Sequence, residues 1–343
     1  MPAQSRAQAA AALRQIASGL RASQALYVAA KLNVADHLAR KPMNSVELAT
    51  VTGADARALH RLMRTLCALD VFTESSRGEF SLNSTAELLR NDVPGSFRAA
   101  VLFTVGDVRW RCWSDFLGTV RAGGGGAERA LGMGLFEFYA AHPEESEIHD
   151  QAMRGISAAQ VAAVLSAMDF SQGGVVVDVG GGTGELLAAI LAANPTLRGV
   201  LFDLPHVVAH ASGVLSESGV ADRVQVVGGS FLDGVPLSGN TYLLKSIIHD
   251  WDDARATTIL RNCRKAMKSA DKLLIMEREL PELGHPGRAV EAFLLDLEML
   301  VMTPGGRERT GSEFAKLLSD ANFKLVRTIP TSSPISIFEA HPV

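Results

Sequence analysis

Residues 175–191 read VVVDVGGGTGELLAAIL: a β-branched run with Asp178, a loop of Gly180, Gly181, Gly182, Thr183 and Gly184, then an amphipathic helix. A strand, a glycine loop and a helix in that order make one arm of a parallel α/β sheet. Glycines permit the tight turn and let a ligand come close to the backbone. Spacing separates the nucleotide loops that share this layout. The dinucleotide pattern GxGxxG begun at Gly180 needs glycine at 185, where Glu185 stands, and the phosphate loop GxxxxGK[ST] lacks its lysine. Glu185 at the helix start would also repel a phosphate held there. What fits is GxGxG preceded by an acid, which suits a positively charged ligand without phosphate. S-adenosylmethionine, a sulfonium and an ammonium beside an adenosine, has that chemistry.

Outward from this arm the chain alternates short apolar runs with longer helical ones. LFDL precedes a helical stretch near His210; RVQVVGG, TYLLKSII with TTILRNCRKAM, and KLLIME follow. This predicts a doubly wound, mostly parallel sheet covered by helices. FKLVRTIPT and ISIFEAHPV, parted by a turn at Ser333 and Pro334, would close the sheet as a hairpin. Asp203, about 20 residues past the loop, falls where a carboxylate can accept both ribose hydroxyls.

Before Gly173-Gly174 the character is helical. Apolar residues from Gln8 to Leu38 recur at helical spacing, broken near Asn33, and predict two or three buried helices. Ser45 begins a short helix that Thr52-Gly53 ends; Leu59, Leu62, Met63 and Leu66 stripe the next. VFTESSRGEFSLN reads as two short strands about a polar turn. Helix, turn, helix and hairpin together make a winged-helix pattern. Further helices fill 95–165, with Gly123 to Gly126 expected as a flexible surface loop. The expected division is a winged-helix-like domain at 1–100, a helical region at 101–170 and the sheet domain at 171–343.

The 343 residues carry a net charge of −4, so the overall balance calls for neither nucleic acid nor an anionic membrane as partner. Residues 1–100 nevertheless hold twelve Lys and Arg against eight Asp and Glu. Cys67, Cys112 and Cys263 are scattered and odd in number, outside any zinc or redox spacing, which suits a reducing compartment. No apolar run is long enough for a signal or a membrane span, so a cytoplasmic location is expected.

Beyond DVGGGTG, the chain contains FDLPHVV at 202–208, VVGGSFLDGVP at 226–236, YLLKSIIHDWDD at 242–253, LLIMERELPE at 273–282 and TPGGRERTGSEF at 303–314. Over nearly its whole length it resembles the class I small-molecule O-methyltransferases, which include plant caffeate and flavonoid enzymes and many bacterial antibiotic-pathway enzymes. The resemblance implies an N-terminal domain that builds a homodimer, S-adenosylmethionine as cofactor and a small aromatic substrate. It also implies roles. Gly180 and Gly182 would line the cofactor, Asp203 would meet its ribose, and Lys245 would lie nearby. Ser230 replaces an acid on the adenine side, and Phe231 would flank the ring. In HDQAM, Asp150 stands where the family has asparagine.

His249 follows the strand TYLLKSII at the carboxyl edge of the sheet, where open α/β sheets bind ligands. A phenol has a pKa of about 10 and a free imidazole about 6.5, so a histidine within reach can take the hydroxyl proton as the methyl moves. The resemblance assigns Glu277 and Glu308 as the carboxylates that orient it. Nothing resembles the carboxylate cluster of a magnesium-dependent enzyme, so no metal is expected. Met153, Met299 and Met302 are candidate walls for a flat ring. Asp250 would bond a second substrate hydroxyl or cap the following helix. Three other readings use the same scaffold: nitrogen as acceptor, a decarboxylase or hydroxylase, and a DNA-binding regulator that senses S-adenosylmethionine and would contact DNA through Arg57, Arg61 and Arg64.

Overall fold

The computed structural model describes residues 5–172, 174–237, 239–282 and 290–343. Gly173, at the expected change of character, lies outside the described residues. The chain forms two compact units: 1–111 with 139–155, and 112–138 with 156–343. The stretch 101–170, read as one helical region, is divided between them.

In the first unit the stretch from Gln8 to Leu38 forms two helices, within the two or three expected; the long first one, Arg6–Lys31, has a capping box of Ser5 and Gln8 at its start. Only its end is buried. Ala29 and Ala30 join a core with Val34, Leu48, Leu59, Met63, Leu66, Phe72 and Phe80, whereas Leu13, Ile16 and Leu20 are 69%, 78% and 56% exposed. The periodicity was a sound sign of a helix but not of burial in the same chain, since a stripe facing another surface has the same spacing. Asn33, at φ 54°, breaks the helix, and Val34–Leu38 follows. Helices Ser45–Thr52 and Ala56–Ala68 are capped by Asn44 and Asp55, and Gly53 at φ 71° ends the first of them. Strands β1 (Thr73–Glu74) and β2 (Phe80–Ser81) pair antiparallel to form the wing. Arg57 and Arg61 sit on the exposed side of the second helix, and Arg64 pairs with Glu74 at 3.4 Å.

The second unit holds β3 (Val175–Val179), β4 (Arg198–Asp203), β5 (Val224–Gly228), β6 (Thr241–Lys245), β7 (Lys272–Leu280), β8 (Arg309–Thr310), β9 (Phe323–Pro330) and β10 (Ile335–Pro342). Among the described residues they form a sheet ordered β5-β4-β3-β6-β7-β10-β9, with β8 alongside β7. β3 to β7 run parallel, and β10 is antiparallel to both neighbours. The chain winds outward from β3 to β5 and returns to β6 on the other side, so the ends of β3 and β6 flank a topological switch point. Alternate residues serve opposite faces. Val177, Val179, Tyr242, Leu244, Leu273 and Ile275 enter one core, and Val176, Leu243, Leu274 and Met276 the other. Each such buried side chain stabilises the fold by about 1.5–3 kcal/mol. Asp178 shares the parity of Val176 and is buried beside it. The outer strand β9 shows Lys324, Val326 and Arg327 to solvent and ends at Pro330. Among the described residues no helix is long and apolar enough to cross a membrane.

The glycine run departs from the expected surface loop. Gly123 and Gly125 do take left-handed φ of 80° and 69°, but Gly126 is buried at the start of helix Gly126–Leu131. A Cβ there would lie 2.7 Å from Thr119 Oγ1 and 2.8 Å from the Val301 carbonyl. A loop composition does not reveal that its last glycine is a close-packing position. Gly126→Ala should therefore destabilise the protein by about 1–2 kcal/mol, since a backbone carbonyl must shift. Gly134→Ala, with nothing within 4 Å of its Cβ, should stay within about 0.5 kcal/mol of the parent. Urea unfolding compares them, and equal midpoints would mean that the Gly126 contact yields freely.

Candidate active site

The glycine loop is held against β4 by its own amides. Gly180 N–H and Gly181 N–H donate to the Phe202 carbonyl at 2.7 and 3.3 Å, and Gly182 N–H donates to Asp203 Oδ2 at 2.8 Å. The other carboxylate oxygen of Asp203 accepts from Leu204 N–H at 2.6 Å. Gly180, Gly182 and Gly184 have φ of 71°, 61° and 91°, a region that penalises any Cβ. At Gly180 a Cβ would also meet Ile247 Cδ1 at 2.5 Å and Phe231 Cε1 at 3.3 Å, so Phe231 stands beside the loop. At Gly182 it would meet nothing within 4 Å, which marks the open side of the turn.

Beneath the loop lies Asp178, 2% exposed, with Oδ2 lacking a protein partner. Burial pushes its carboxyl up to about 7, against the pull of Lys245. Burial pushes Lys245 down, while Asp178, Glu277 and Glu185 draw it back up; its ammonium donates to Gln160 at 3.4 Å. A buried acid with one unpartnered oxygen under an open glycine turn, flanked by Asp203, fits the cationic and ribose groups of S-adenosylmethionine. Ser230 Oγ accepts from Leu232 N–H at 3.2 Å and shapes the turn after β5. Phe231 packs edge-on against Trp251, 5.9 Å between centroids.

His249 sits in a 3₁₀ turn, Ile248–Asp250, just past β6. Glu277 on β7 holds that turn: its Oε1 accepts from the amides of Ile247, Ile248 and His249 at 3.0, 2.7 and 3.3 Å. The imidazole Nδ1 lies 3.0 Å from Glu308 Oε1 and 3.5 Å from Glu277 Oε2. Nε2 lies 3.7 Å from Asp250 Oδ1. The carboxylates are thus not equivalent partners of the ring: Glu308 takes the Nδ1 hydrogen bond, and Glu277 chiefly anchors the backbone. Burial disfavours the imidazolium, but Glu277, Asp250 and Glu308 together outweigh it and hold His249 above the free-imidazole range. The expected base near 6.5 is corrected accordingly. Nδ1 and one oxygen of each glutamate lie within 4.8 Å of one another, a spacing that three cation ligands also adopt. A carboxylate hydrogen bond to Nδ1 requires the proton there, which removes the lone pair a metal would need.

The segment after helix Val290–Met302 closes over this turn. Gly306 has no room for a side chain, since a Cβ would come 2.4 Å from the His249 carbonyl. Asp296 Oδ1 accepts from Glu308 N–H at 2.8 Å. Met299 and Met302 are buried on the same helix. Met153 is half-buried in the part of helix Pro143–Ala167 belonging to the first unit, where Asp150 pairs with His149 at 2.9 Å. The helix after the His249 turn is capped by Asp252, which accepts from Arg255 N–H at 2.8 Å, and not by Asp250. Sequence reasoning missed Gln160, Asp296 and Arg309, whose residue types carry no signal without the packing around them.

The doubly wound sheet, its GxGxG loop at the switch point and the acid closing β4 define a class I methyltransferase. The chain belongs to the S-adenosylmethionine-dependent O-methyltransferase family: residues 113–324 match the profile described as O-methyltransferase domain, and residues 14–92 that described as O-methyltransferase dimerisation domain. It is 43% identical to the phenazine O-methyltransferase of Lysobacter antibioticus, over 96% of each chain. It is 35% identical to the phenazine-1-carboxylate N-methyltransferase of Pseudomonas aeruginosa, over 94% of each. An O-methyltransferase from neocarzinostatin biosynthesis, solved with S-adenosylmethionine and 2-hydroxy-5-methyl naphthoic acid, superposes with a TM-score of 0.83 at 32% identity, over 94% of this chain and 96% of that one. Membership of an enzyme family displaces the regulator reading.

The loop geometry separates two glycines that look alike in the sequence. Both Gly180→Ala and Gly182→Ala incur the cost of a positive φ, about 1 kcal/mol, but only the first meets obstruction. Thermal unfolding of the free protein should show Gly180→Ala the less stable of the two, and the reverse order would remove the close approach of Ile247 and Phe231 as a constraint.

Proposed function

We propose that this enzyme transfers the methyl group of S-adenosylmethionine to a hydroxyl of a small aromatic secondary metabolite of phenolic, polyketide or phenazine type, with His249 as general base. The observation that carries the reading is the imidazole held at Nδ1 by Glu308, with Nε2 on the other side of the ring 3.7 Å from Asp250 Oδ1, on the turn that abuts the glycine loop. When bound, S-adenosylmethionine supplies an electrophilic methyl group. Gly180 and Gly182 hold the amino-acid end of the cofactor, Asp203 accepts from the ribose, Ser230 and Phe231 flank the adenine, and Lys245 lies below. Nε2 takes the hydroxyl proton, and the Glu308 and Glu277 carboxylates stabilise the imidazolium that forms. Met299 and Met302 wall the aromatic ring, and Asp250 accepts from a second polar group on it. Similarity to an N-methyltransferase supports a second reading, in which the acceptor is a ring nitrogen needing no base.

Incubation with labelled S-adenosylmethionine and a panel of phenols, quinones and phenazines, followed by mass spectrometry, tests the substrate class. With an accepted hydroxylated substrate, His249→Ala should lower kcat by roughly 100-fold or more at unchanged S-adenosylhomocysteine affinity. The wild-type rate should climb with pH, because the active form is the neutral imidazole. Since the carboxylates raise the histidine pKa, that climb should run above the usual histidine range of about 6.5 and vanish in the variant. Full turnover by His249→Ala would favour the nitrogen reading.

We also propose a homodimer built on residues 1–100, in which the stripe Leu13, Ile16 and Leu20 is covered by a second copy. Ile16→Asp should shift light scattering from dimer toward monomer at micromolar concentration. A wild type that is itself monomeric there would end this reading.

A further inference from the structure

The site has one fully buried guanidinium, Arg309 on β8, 1% exposed and outside the roles assigned above. Its Nε and Nη2 donate to Asp253 Oδ1 at 3.0 and 2.7 Å. Nη1 donates to the carbonyls of Ile248 and Arg307 at 3.0 and 3.3 Å, and Nη2 to that of Trp251 at 2.9 Å. The accepting residues bracket the catalytic pair. Ile248 and Trp251 lie on either side of His249, and Arg307 immediately precedes Glu308. The Arg307 N–H in turn donates to the His249 carbonyl at 2.8 Å. One planar cation thus bonds both backbone arms of the His249–Glu308 contact, and Asp253 fixes the plane of the fork.

We propose that Arg309 is a positioning residue that sets the separation of the His249 ring from Glu308 by clamping the turn that carries the one and the segment that carries the other. This rests on the general-base reading. Guanidinium geometry is essential, because an ammonium on a flexible stem cannot span three carbonyls and a carboxylate in one plane. The groups facing His249 are Glu277 from β7, Glu308 from the segment before β8, and Asp250 from its own turn. Behind Glu308 stand Asp296 and Arg307. Arg309→Lys keeps the charge among these groups while losing the fork, so a change in His249 reports geometry and not the removal of a cation.

The test is Arg309→Lys in the full chain, assayed below its own unfolding midpoint. Expected are a kcat at least 10-fold lower, an unchanged KM for S-adenosylmethionine, and an NMR titration midpoint for His249 moved down toward that of free imidazole. A variant that is merely less stable, with kcat and midpoint unchanged, would overturn the proposal. Should Arg309→Lys fail to fold, Asp253→Ala serves in its place, since Asp253 is 61% exposed and its loss frees the fork on one side. A several-fold fall in kcat with the same direction of midpoint shift supports the clamp, and wild-type values for both refute it. The titration is independent of turnover, so an active His249→Ala would end the general-base reading while leaving the clamp to be judged by NMR.

Discussion

Two buried carboxylates facing one another must share a positive charge, or one of them must take up a proton. Glu277 and Glu308 are 1% and 0% exposed, and the imidazole of His249 lies between them. Desolvating three ionisable groups costs several kcal/mol, which the site recovers only through good geometry and further hydrogen bonds. Much of the local architecture serves that end. Three amides of one turn converge on Glu277, Asp296 steadies the Glu308 backbone, and Gly306 lets the chain pack on the His249 carbonyl. Glu277 Oε2, 3.5 Å from Nδ1, and Glu308 Oε2 accept no hydrogen bond, so their charge is left to act on a proton at the ring. The same burial that makes the cluster expensive makes it a strong proton trap.

The glycine loop obeys a different constraint, that of space. β3 and β6 diverge at the switch point, and the loop must turn there without side chains on its inner side. Its amides are spent on Phe202 and Asp203, so the turn is already formed without a ligand. Asp203 stands in the same position as both a strut of the loop and the acid at the end of β4. Its carboxylate oxygens each have two lone pairs and have used one, so capacity remains.

The strand periodicities, the loop and the hairpin were legible because each depends on neighbours in sequence. His249 was singled out by its place after a strand, and Glu277 and Glu308 by the resemblance alone; the structure brings the three together. The unequal duties of the two glutamates were not legible, because three backbone amides converging on Glu277 leave no trace in residue type. The pKa of His249 follows from charges contributed by β7 and the segment before β8, and no spacing encodes their distances. Arg309 stood in plain view in TPGGRERTGSEF, but an arginine there reads equally as a surface cation. The apolar spacing from Gln8 to Leu38 gave the helices but not the exposure of Leu13, Ile16 and Leu20, for amphipathic spacing does not say which surface the apolar face meets.

The outer strand β9 closes one edge of the sheet with Lys324, Arg327 and a terminal proline, and Arg327 is tied across to Glu339 on β10 at 2.7 Å. A further strand docking there would have to bury those cations and would find no donor at Pro330. Polymerisation through main-chain pairing is thereby disfavoured on this side. A sheet that is kept from growing can sit at high concentration in a crowded cell, leaving association to side-chain surfaces whose shape limits the number of copies.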